Sequence, residues 1–301
     1  MMNLTLHQLY VFGTVARLKS MTEAARRLHM TQPAVSIQIK QLQESIDIPL
    51  IEIVGRKLYL TEAGERLYEL FKNVNHEMES FNAVISQLKG GLKGKLTITS
   101  ASTAKYFLPY LLGEFQRRYP GVTASLKVTN RNEVLHHLSQ NKYDLAILTQ
   151  VPDMKNIVAV PFLQNPLVMG APPEHPLAGE KNISAEKIKN EHFVFREVGS
   201  GTRMMMIDYL EKNGIEVNPI MELGTNEAVK QAVMAGIGLS IMSKLSLDNE
   251  LYLNKISILD MRGFPIPTHW HVIYKTEKKI SPVTQNFVSF LREKNITQYL
   301  P

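Results

Sequence analysis

Two residues, His29-Met30, separate two runs whose apolar positions recur at helical spacing, and this short connection limits the first part of the chain more than any other feature. The run before it carries Ala24, Ala25 and Leu28 on its inward side, with Ser20 or Thr22 placed to cap its start. Small alanines there let a following helix approach closely. In the run after it, Thr31 is a good N-cap and Pro33 falls in the first turn, where its missing N–H costs nothing. A further helix precedes both, with Leu6, Leu9, Tyr10, Phe12, Val15 and Ala16 on one face. Two helices joined by so tight a turn form a helix-turn-helix.

At 100° per residue, Val35, Ile39, Leu42 and Ile46 share one face of the third helix and point to the core. Pro33, Ser36, Ile37 and Lys40 then lie on the opposite side, with Gln32 at the N-terminal tip. Glutamine can pair bidentately with adenine in a major groove, and lysine and serine suit guanine edges or phosphates. An isolated amphipathic helix would show the same polar side to solvent. The capped helix before it, and the hairpin LIEIVGRKLYLT after it, favour a reading face. That hairpin carries a basic tip, Gly55-Arg56-Lys57, placed to reach phosphates or the minor groove.

The segments AARRLHMTQPAVSIQIKQLQE and LTEAG resemble the signature of the LysR-type transcriptional regulators, which begin with a winged helix-turn-helix. The resemblance implies that Thr31, Gln32, Pro33, Ser36 and Lys40 meet double-stranded DNA, with Arg56 and Lys57 on the wing. Two departures stand out. The family's Leu-Phe-x-Arg is replaced by Leu50-Ile51-Glu52-Ile53, and Asp47 stands where glycine is common. Phosphate contact near the wing is therefore expected to rest more on Arg56 and Lys57.

Beyond the wing, Leu67, Phe71, Val74, Met78, Phe81, Ile85 and Leu88 are spaced 4-3-4-3-4-3, an a/d seam. A helix packed on its own core can show this pattern too. A period of 3.5 residues kept up this long favours a two-stranded linker helix, which would set two reading helices on two half-sites. The seam ends at Lys89-Gly90-Gly91-Leu92-Lys93-Gly94-Lys95, a glycine-rich joint.

From about Leu96 short strands alternate with helical runs, as in KLTITSA, VTASLKVT and YDLAILT, which indicates an α/β domain with a mainly parallel sheet. Three strand-to-helix junctions carry hydroxyls and amides suited to an anion: Ser100 to Thr103 before a helix from about Ala104, Arg196 to Arg203, and Thr225-Asn226. Ordinary N-capping explains such residues one at a time. Convergence on one crevice at strand C-termini would make them functional together.

The resemblance extends here. LysR-type effector domains have the two-lobed α/β fold of periplasmic solute-binding proteins. STAKYFLPYLLGEFQRRYPGV, NRNEVLHHL, NPLVMGAPPEHPLA and REVGSGTR resemble the subgroup regulating Calvin-cycle (RuBisCO) and inorganic-carbon-uptake operons. Its effectors are phosphorylated sugars, other small phosphorylated acids and NADPH. The resemblance implies a cleft formed by Ser102, Thr103, Asn130, Arg131, Thr149, Arg196, Ser200, Thr202, Arg203 and Thr225, with Arg196 and Arg203 as charge partners of a phosphate. The expected organisation is a winged helix-turn-helix over residues 1–61, a dimerising linker helix and hinge over 62–91, and an effector-binding domain over 92–301. Lobe I would comprise 95–163 and 269–301, and lobe II 164–268. Prolines near both crossings, Pro166 and Pro265 with Pro267, would stiffen the hinge strands.

Composition narrows the alternatives. The chain of 301 residues has no cysteine, so thiolate zinc sites, iron–sulfur clusters and cysteine nucleophiles are excluded. His269 and His271 share a strand face without a third ligand, so no metal site is expected, and no cofactor motif is present. GSGTR is not a Walker sequence, and no GxSxG or HExxH appears. An α/β enzyme with an accessory DNA-binding domain therefore lacks its catalytic residues. A solute-binding protein for transport would need a secretory signal, and MMNLTLHQLY does not read as one. No apolar stretch is long enough for a membrane span. The expectation is a cytoplasmic homodimer or homotetramer that binds DNA and a small anionic effector. The net charge of +6 divides into +3 over residues 1–61, −2 over 62–90 and +5 over 91–301, so DNA affinity would depend on a few placed residues.

Overall fold

The structure is a computed structural model that describes residues 4–55, 57–88 and 91–300, apart from the side chains of residues 76, 79, 80, 82–84 and 86–88. Arg56 and the Leu88 side chain, both named above, lie outside the described residues. The chain forms two compact units, residues 1–82 and 83–301.

The first unit opens with three helices, α1 (Leu6–Leu18), α2 (Met21–Leu28) and α3 (Gln32–Ile46). Each begins on a hydroxyl: Thr5, Ser20 and Thr31 accept the backbone N–H of Gln8, Glu23 and Ala34. Each stops on a left-handed residue, Lys19 (φ 51°), His29 (φ 54°) and Asp47 (φ 56°). Asp47 thus adopts the backbone conformation that explains the glycine of the family pattern, and its short polar side chain tolerates it. Phe12, Val15, Ala24, Val35, Ile39 and Leu42 form the core, whereas Ile46 is only half-buried.

The hairpin β1 (Ile51–Val54) and β2 (Lys57–Leu60) pairs Val54 with Lys57 across its tip. Gln43 fastens it to α3, its Oε1 accepting the N–H groups of Leu50 at 2.8 Å and Ile51 at 3.2 Å. Thr61 fastens it to the next helix, α4 (Glu62–Leu88). The Thr61 hydroxyl donates to the Pro49 carbonyl at 2.7 Å and accepts the Gly64 N–H at 3.1 Å. A Cβ on Gly64 would stand 2.0 Å from the Leu50 carbonyl oxygen, so LTEAG is a structural clasp.

The seam of α4 needs correction at its start. Leu67 and Phe71 are buried in the core of their own unit, and Val74 packs partly against it. The Phe71 ring lies where a Cβ of Gly13 would be, and meets Tyr10 edge-on at 6.0 Å. Apolar spacing shows that a face is covered but not by which helix, and here α1 covers the first turns. Met78 and Phe81 remain exposed, at 51% and 59%, and Ile85 is half-buried.

In the second unit the chain builds one lobe, crosses to another and returns. The first lobe contains β3 (Lys93–Ala101), α5 (Leu108–Arg118), β4 (Gly121–Thr129), α6 (Arg131–Ser139), β5 (Leu145–Leu148) and β6 (Ile157–Gln164). The helix expected from Ala104 begins later. Ser102–Tyr106 form a 3-10 turn, and Pro109 lies in the first turn of α5, where it needs no N–H partner. The second lobe contains β7 (Leu167–Ala171), β8 (Phe193–Arg196), α7 (Gly201–Lys212), β9 (Pro219–Leu223), α8 (Asn226–Met234), β10 (Ser240–Ser243), α9 (Asp248–Tyr252) and β11 (Ser257–Leu259). β12 (His269–Lys275) and α10 (Pro282–Leu291) complete the first lobe.

The first sheet has the order β4-β3-β5-β12-β6, and only β12, which brings the chain back, runs against the others. In the second lobe β8 and β9 are parallel, and β7, which carries the chain in, opposes β10 and β11. A parallel bridge from Phe193 to Leu239 links the two pieces. The crossings are laced together where Asn165 donates its N–H to the Thr268 carbonyl and its Nδ2 to the Thr268 hydroxyl, both at 2.8 Å. Trp270, Phe107, Phe115 and Phe287 fill the first lobe, and Met169, Phe195, Leu210 and Ile241 the second.

Phe71→Ala is expected to cost the first unit about 3–4 kcal/mol by leaving a cavity against Gly13. Phe81→Ala should change that unit's stability by less than about 0.5 kcal/mol. Hydrogen exchange of residues 1–82 in denaturant separates the two, and equal losses would contradict the placement of Phe71.

Candidate functional site

Two sets of side chains stand out, one in each unit. On α3, Gln32, Pro33, Ser36, Ile37 and Lys40 are exposed along one side, opposite the buried Val35, Ile39 and Leu42. Ile37 is 54% exposed. An apolar residue left in water on an otherwise polar face suits contact with a thymine methyl. Lys40 lies 3.7 Å from Glu44 with both side chains exposed, a pair weak enough to release the ammonium. Thr31 spends its hydroxyl on the helix start, while its position keeps it beside Gln32. Lys57 is exposed at the start of β2.

In the second unit a cleft between the lobes is lined by Ser102 and Thr103 after β3, Asn130 and Arg131 opening α6, and Thr149 after β5. From the other lobe it is lined by Arg196, Ser200 and Thr202. The topology explains the convergence: in both sheets these residues follow the C-terminal ends of parallel strands. Helices α6 and α7 both present their N-termini here, capped by Asn130 and Ser200. They come close together. The Cβ position of Gly201, the first residue of α7, is 3.7 Å from Arg131 Cδ and 3.6 Å from Thr149 Oγ1.

The two cleft arginines differ in kind. Arg196 is 4% exposed, and its guanidinium is occupied. Nε and Nη2 donate to Glu197 at 2.7 and 2.9 Å, Nη2 also to Ser102 Oγ at 3.1 Å, and Nη1 to Asn226 Oδ1. Arg131 is half-buried, its Nε is buried with no hydrogen-bond partner, and burial pulls the guanidinium below its ordinary pKa. Trp270 Nε1, Gln150 Oε1 and Ser100 Oγ are also buried and unpartnered, and Trp270 lines the cleft. The cleft therefore offers a cation and a donor N–H whose hydrogen-bonding capacity is unused, beside two helix N-termini.

Two expected residues do not line it. Arg203 turns away one position beyond Thr202. It donates to the Arg196 carbonyl at 2.6 Å and to Glu222 at 2.5 Å, and stacks on Phe195. Its charge is compensated, and it braces β8 against β9 behind the residues that line the cleft. Thr225 is exposed and caps α8, and its neighbour Asn226 faces the cleft region instead, bonding Arg196 and Thr103. Sequence reasoning also missed Glu197, Asn165 and Trp270. A charged residue directly after Arg196 was the one available signal.

Beside the cleft, the lobes are joined by Glu227, which accepts from Lys105 Nζ and Tyr106 Oη. Burial pushes the Glu227 carboxyl up, but these two hydrogen bonds and the Lys105 charge outweigh it and bring it down to about 2. Burial, then the bond to Glu227, raises the Tyr106 hydroxyl far above its ordinary value. Among the described residues no group of three or more His, Cys, Asp or Glu could hold a metal, and no helix is long and apolar enough to cross a membrane.

Residues 6–65 match the bacterial regulatory helix-turn-helix protein of the lysR family, and residues 89–295 match the LysR substrate binding domain. The HTH-type transcriptional activator CmpR of Synechocystis sp. is 45% identical over 291 residues, covering 97% of this chain and 96% of its own. The RuBisCO operon transcriptional regulator of Acidithiobacillus ferrooxidans is 43% identical, covering 95% and 93%. The regulatory domain of Synechocystis PCC6803 CcmR, solved in complex with 2-PG, is 41% identical with a TM-score of 0.64, covering 66% of this chain and 95% of that one.

A carboxylate held below its ordinary 4.5 stabilises the fold above that pH and loses its contribution as pH falls toward about 2. Glu227→Gln should therefore lower the melting temperature of the second unit by a constant amount at neutral pH. Below pH 4.5 the gap to the parent protein should close. Scanning calorimetry over a pH series checks this, and a gap that persists into strong acid would contradict it.

Proposed function

Because the chain belongs to the LysR family of bacterial transcription regulators, we propose that it reads DNA with the exposed side of α3. Its promoter binding then responds to a small phosphorylated or otherwise anionic metabolite held between the two lobes. The observation that carries the effector reading is Arg131, a desolvated guanidinium without an anionic partner among the described residues, placed where the first residues of α6 and α7 come close together. Helix N-termini and an uncompensated arginine are the elements of a phosphate site. The 2-PG bound by the CcmR regulatory domain, 41% identical, supports the same class of ligand here.

On the DNA side, Gln32 at the tip of α3 is the residue suited to a base edge, with Ser36 and Lys40 behind it and Thr31 and Pro33 setting the helix start. Arg56 and Lys57 at the wing would contact the backbone. Such phosphate contacts strengthen binding to all sequences alike and make it salt-dependent. Two copies are needed to read two half-sites, and the exposed Met78 and Phe81 with Ile85 on α4 supply an apolar stripe for pairing, as a dimer or as a tetramer of such dimers. The effector then acts by binding two lobe or subunit arrangements unequally, the condition for any shift in DNA affinity.

Arg131→Gln should weaken effector binding by at least about tenfold, while Arg203→Gln leaves it within about threefold. Titration of the full chain followed by Trp270, its single tryptophan, distinguishes them, and equal losses would move the anion site toward Arg203. Gln32→Ala should relax preference at one base pair by about 1–3 kcal/mol while leaving the salt dependence unchanged. Competition binding against single-base operator variants measures it, and unchanged selectivity would refute base contact.

A further inference from the structure

We propose that Glu197 is an internal competitor of the effector. Its carboxylate occupies the seat on Arg196 that the second anionic group of a two-ended ligand takes over, so the cleft suits small acids with a phosphate at one end and a carboxylate at the other. This rests on the reading of the cleft as an anion-effector site.

Arg196 is the most deeply buried charge of the cleft, and Glu197 grips it through two parallel hydrogen bonds, 2.7 and 2.9 Å long. Successive residues of an extended strand point to opposite faces. A two-bond grip between neighbours forms because β8 ends at Arg196 and the chain turns at once. The gripping group is a carboxylate, the same chemical group as the free end of a small organic acid. Glu197 is also the one acidic residue among the described lining residues, which include two arginines.

The exchange conserves what the buried arginine requires. A guanidinium stripped of its partner in a low-dielectric site is strongly destabilised, so Arg196 accepts a ligand only if the ligand replaces Glu197 in kind. A carboxylate does so through the same two-bond geometry. A phosphate at the other end meets Arg131, whose Nε has no hydrogen-bond partner among the described residues, beside the first turns of α6 and α7. Glu197 has somewhere to go, since 22% of its side chain is already exposed.

Its release also acts on the right piece of chain. The Glu197 N–H bonds the Leu223 carbonyl at 3.0 Å, and its own carbonyl accepts the Ser200 N–H at 3.1 Å, so residues 197–200 form one hydrogen-bonded turn. Within it, Gly199 (φ +90°) lies so close to the other lobe that a Cβ would stand 2.6 Å from Asn132 Nδ2. Displacing Glu197 therefore disturbs the segment by which the second lobe rests on α6 of the first.

The test uses the full chain and two probes, 2-phosphoglycolate as the two-ended acid and inorganic phosphate as the one-ended anion. Binding is followed by Trp270 fluorescence and by calorimetry. Glu197→Gln keeps the size of the side chain and removes its charge. It should tighten 2-phosphoglycolate by about tenfold, about 1.4 kcal/mol, and inorganic phosphate by less than about twofold. Glu197→Asp, which keeps the charge on a shorter arm, should show a smaller shift in the same direction. Unchanged or weaker 2-phosphoglycolate binding in Glu197→Gln overturns the proposal. So do equal gains for both probes, which would mean that Glu197 acts only through its general field. Failure of the parent protein to bind either probe overturns the effector reading itself, and is seen before any variant is made.

Discussion

A guanidinium that is 4% exposed cannot stand alone, and satisfying Arg196 organises the whole effector cleft. Its partners come from the residue after β3 (Ser102), from the residue after β8 (Glu197) and from the first turn of α8 (Asn226), and Asn226 passes the connection on to Thr103. Both lobes are thereby drawn toward one side chain. The consequence for function is a division of labour. Arg196 is fully engaged by groups of the protein itself, whereas Arg131 keeps a buried Nε with no hydrogen-bond partner among the described residues.

The same economy governs the DNA-reading unit. Gln43 and Thr61 hold the hairpin against α3 and α4 through backbone carbonyls and N–H groups, so the wing is fixed without side chains from its own tip. That leaves Lys57 on the exposed edge, and Gln32, Ser36 and Lys40 on the exposed side of the helix. The close approach of Leu50 to Gly64 and of Phe71 to Gly13 shows how tightly α4 is built into this unit before it continues past residue 82.

The features legible in advance were those that local chemistry decides. Ser20 and Thr31 cap helices because a hydroxyl beside the first free N–H groups satisfies them whatever else the chain does. Val35, Ile39 and Leu42 are buried because helical periodicity allows one apolar face only. The clustering of Ser102, Arg196 and Ser200 was foreshadowed by a pattern, polar residues after strands in an alternating α/β chain, that places such junctions at one end of a parallel sheet, whereas Asn130 and Arg131 were pointed to only by the family resemblance. What could not be read was the partner of each group. Leu67 and Phe71 belong to an a/d seam by spacing, and spacing is blind to whether the opposite helix is α1 or another copy. Arg203 on α7 was expected to line the cleft because nothing in the sequence tells that Glu222, on β9, lies 2.5 Å away.

The sequence by itself determined the helix-turn-helix with its exposed polar face, the α/β alternation and the positions of the polar junctions, because each follows from periodicity, capping and turn chemistry over a few residues. Tertiary structure alone decided which arginine is spent and which is free. That choice depends on burial and on hydrogen-bonding groups brought to Arg196 from residues 102 and 226, a distance in sequence over which no local preference acts.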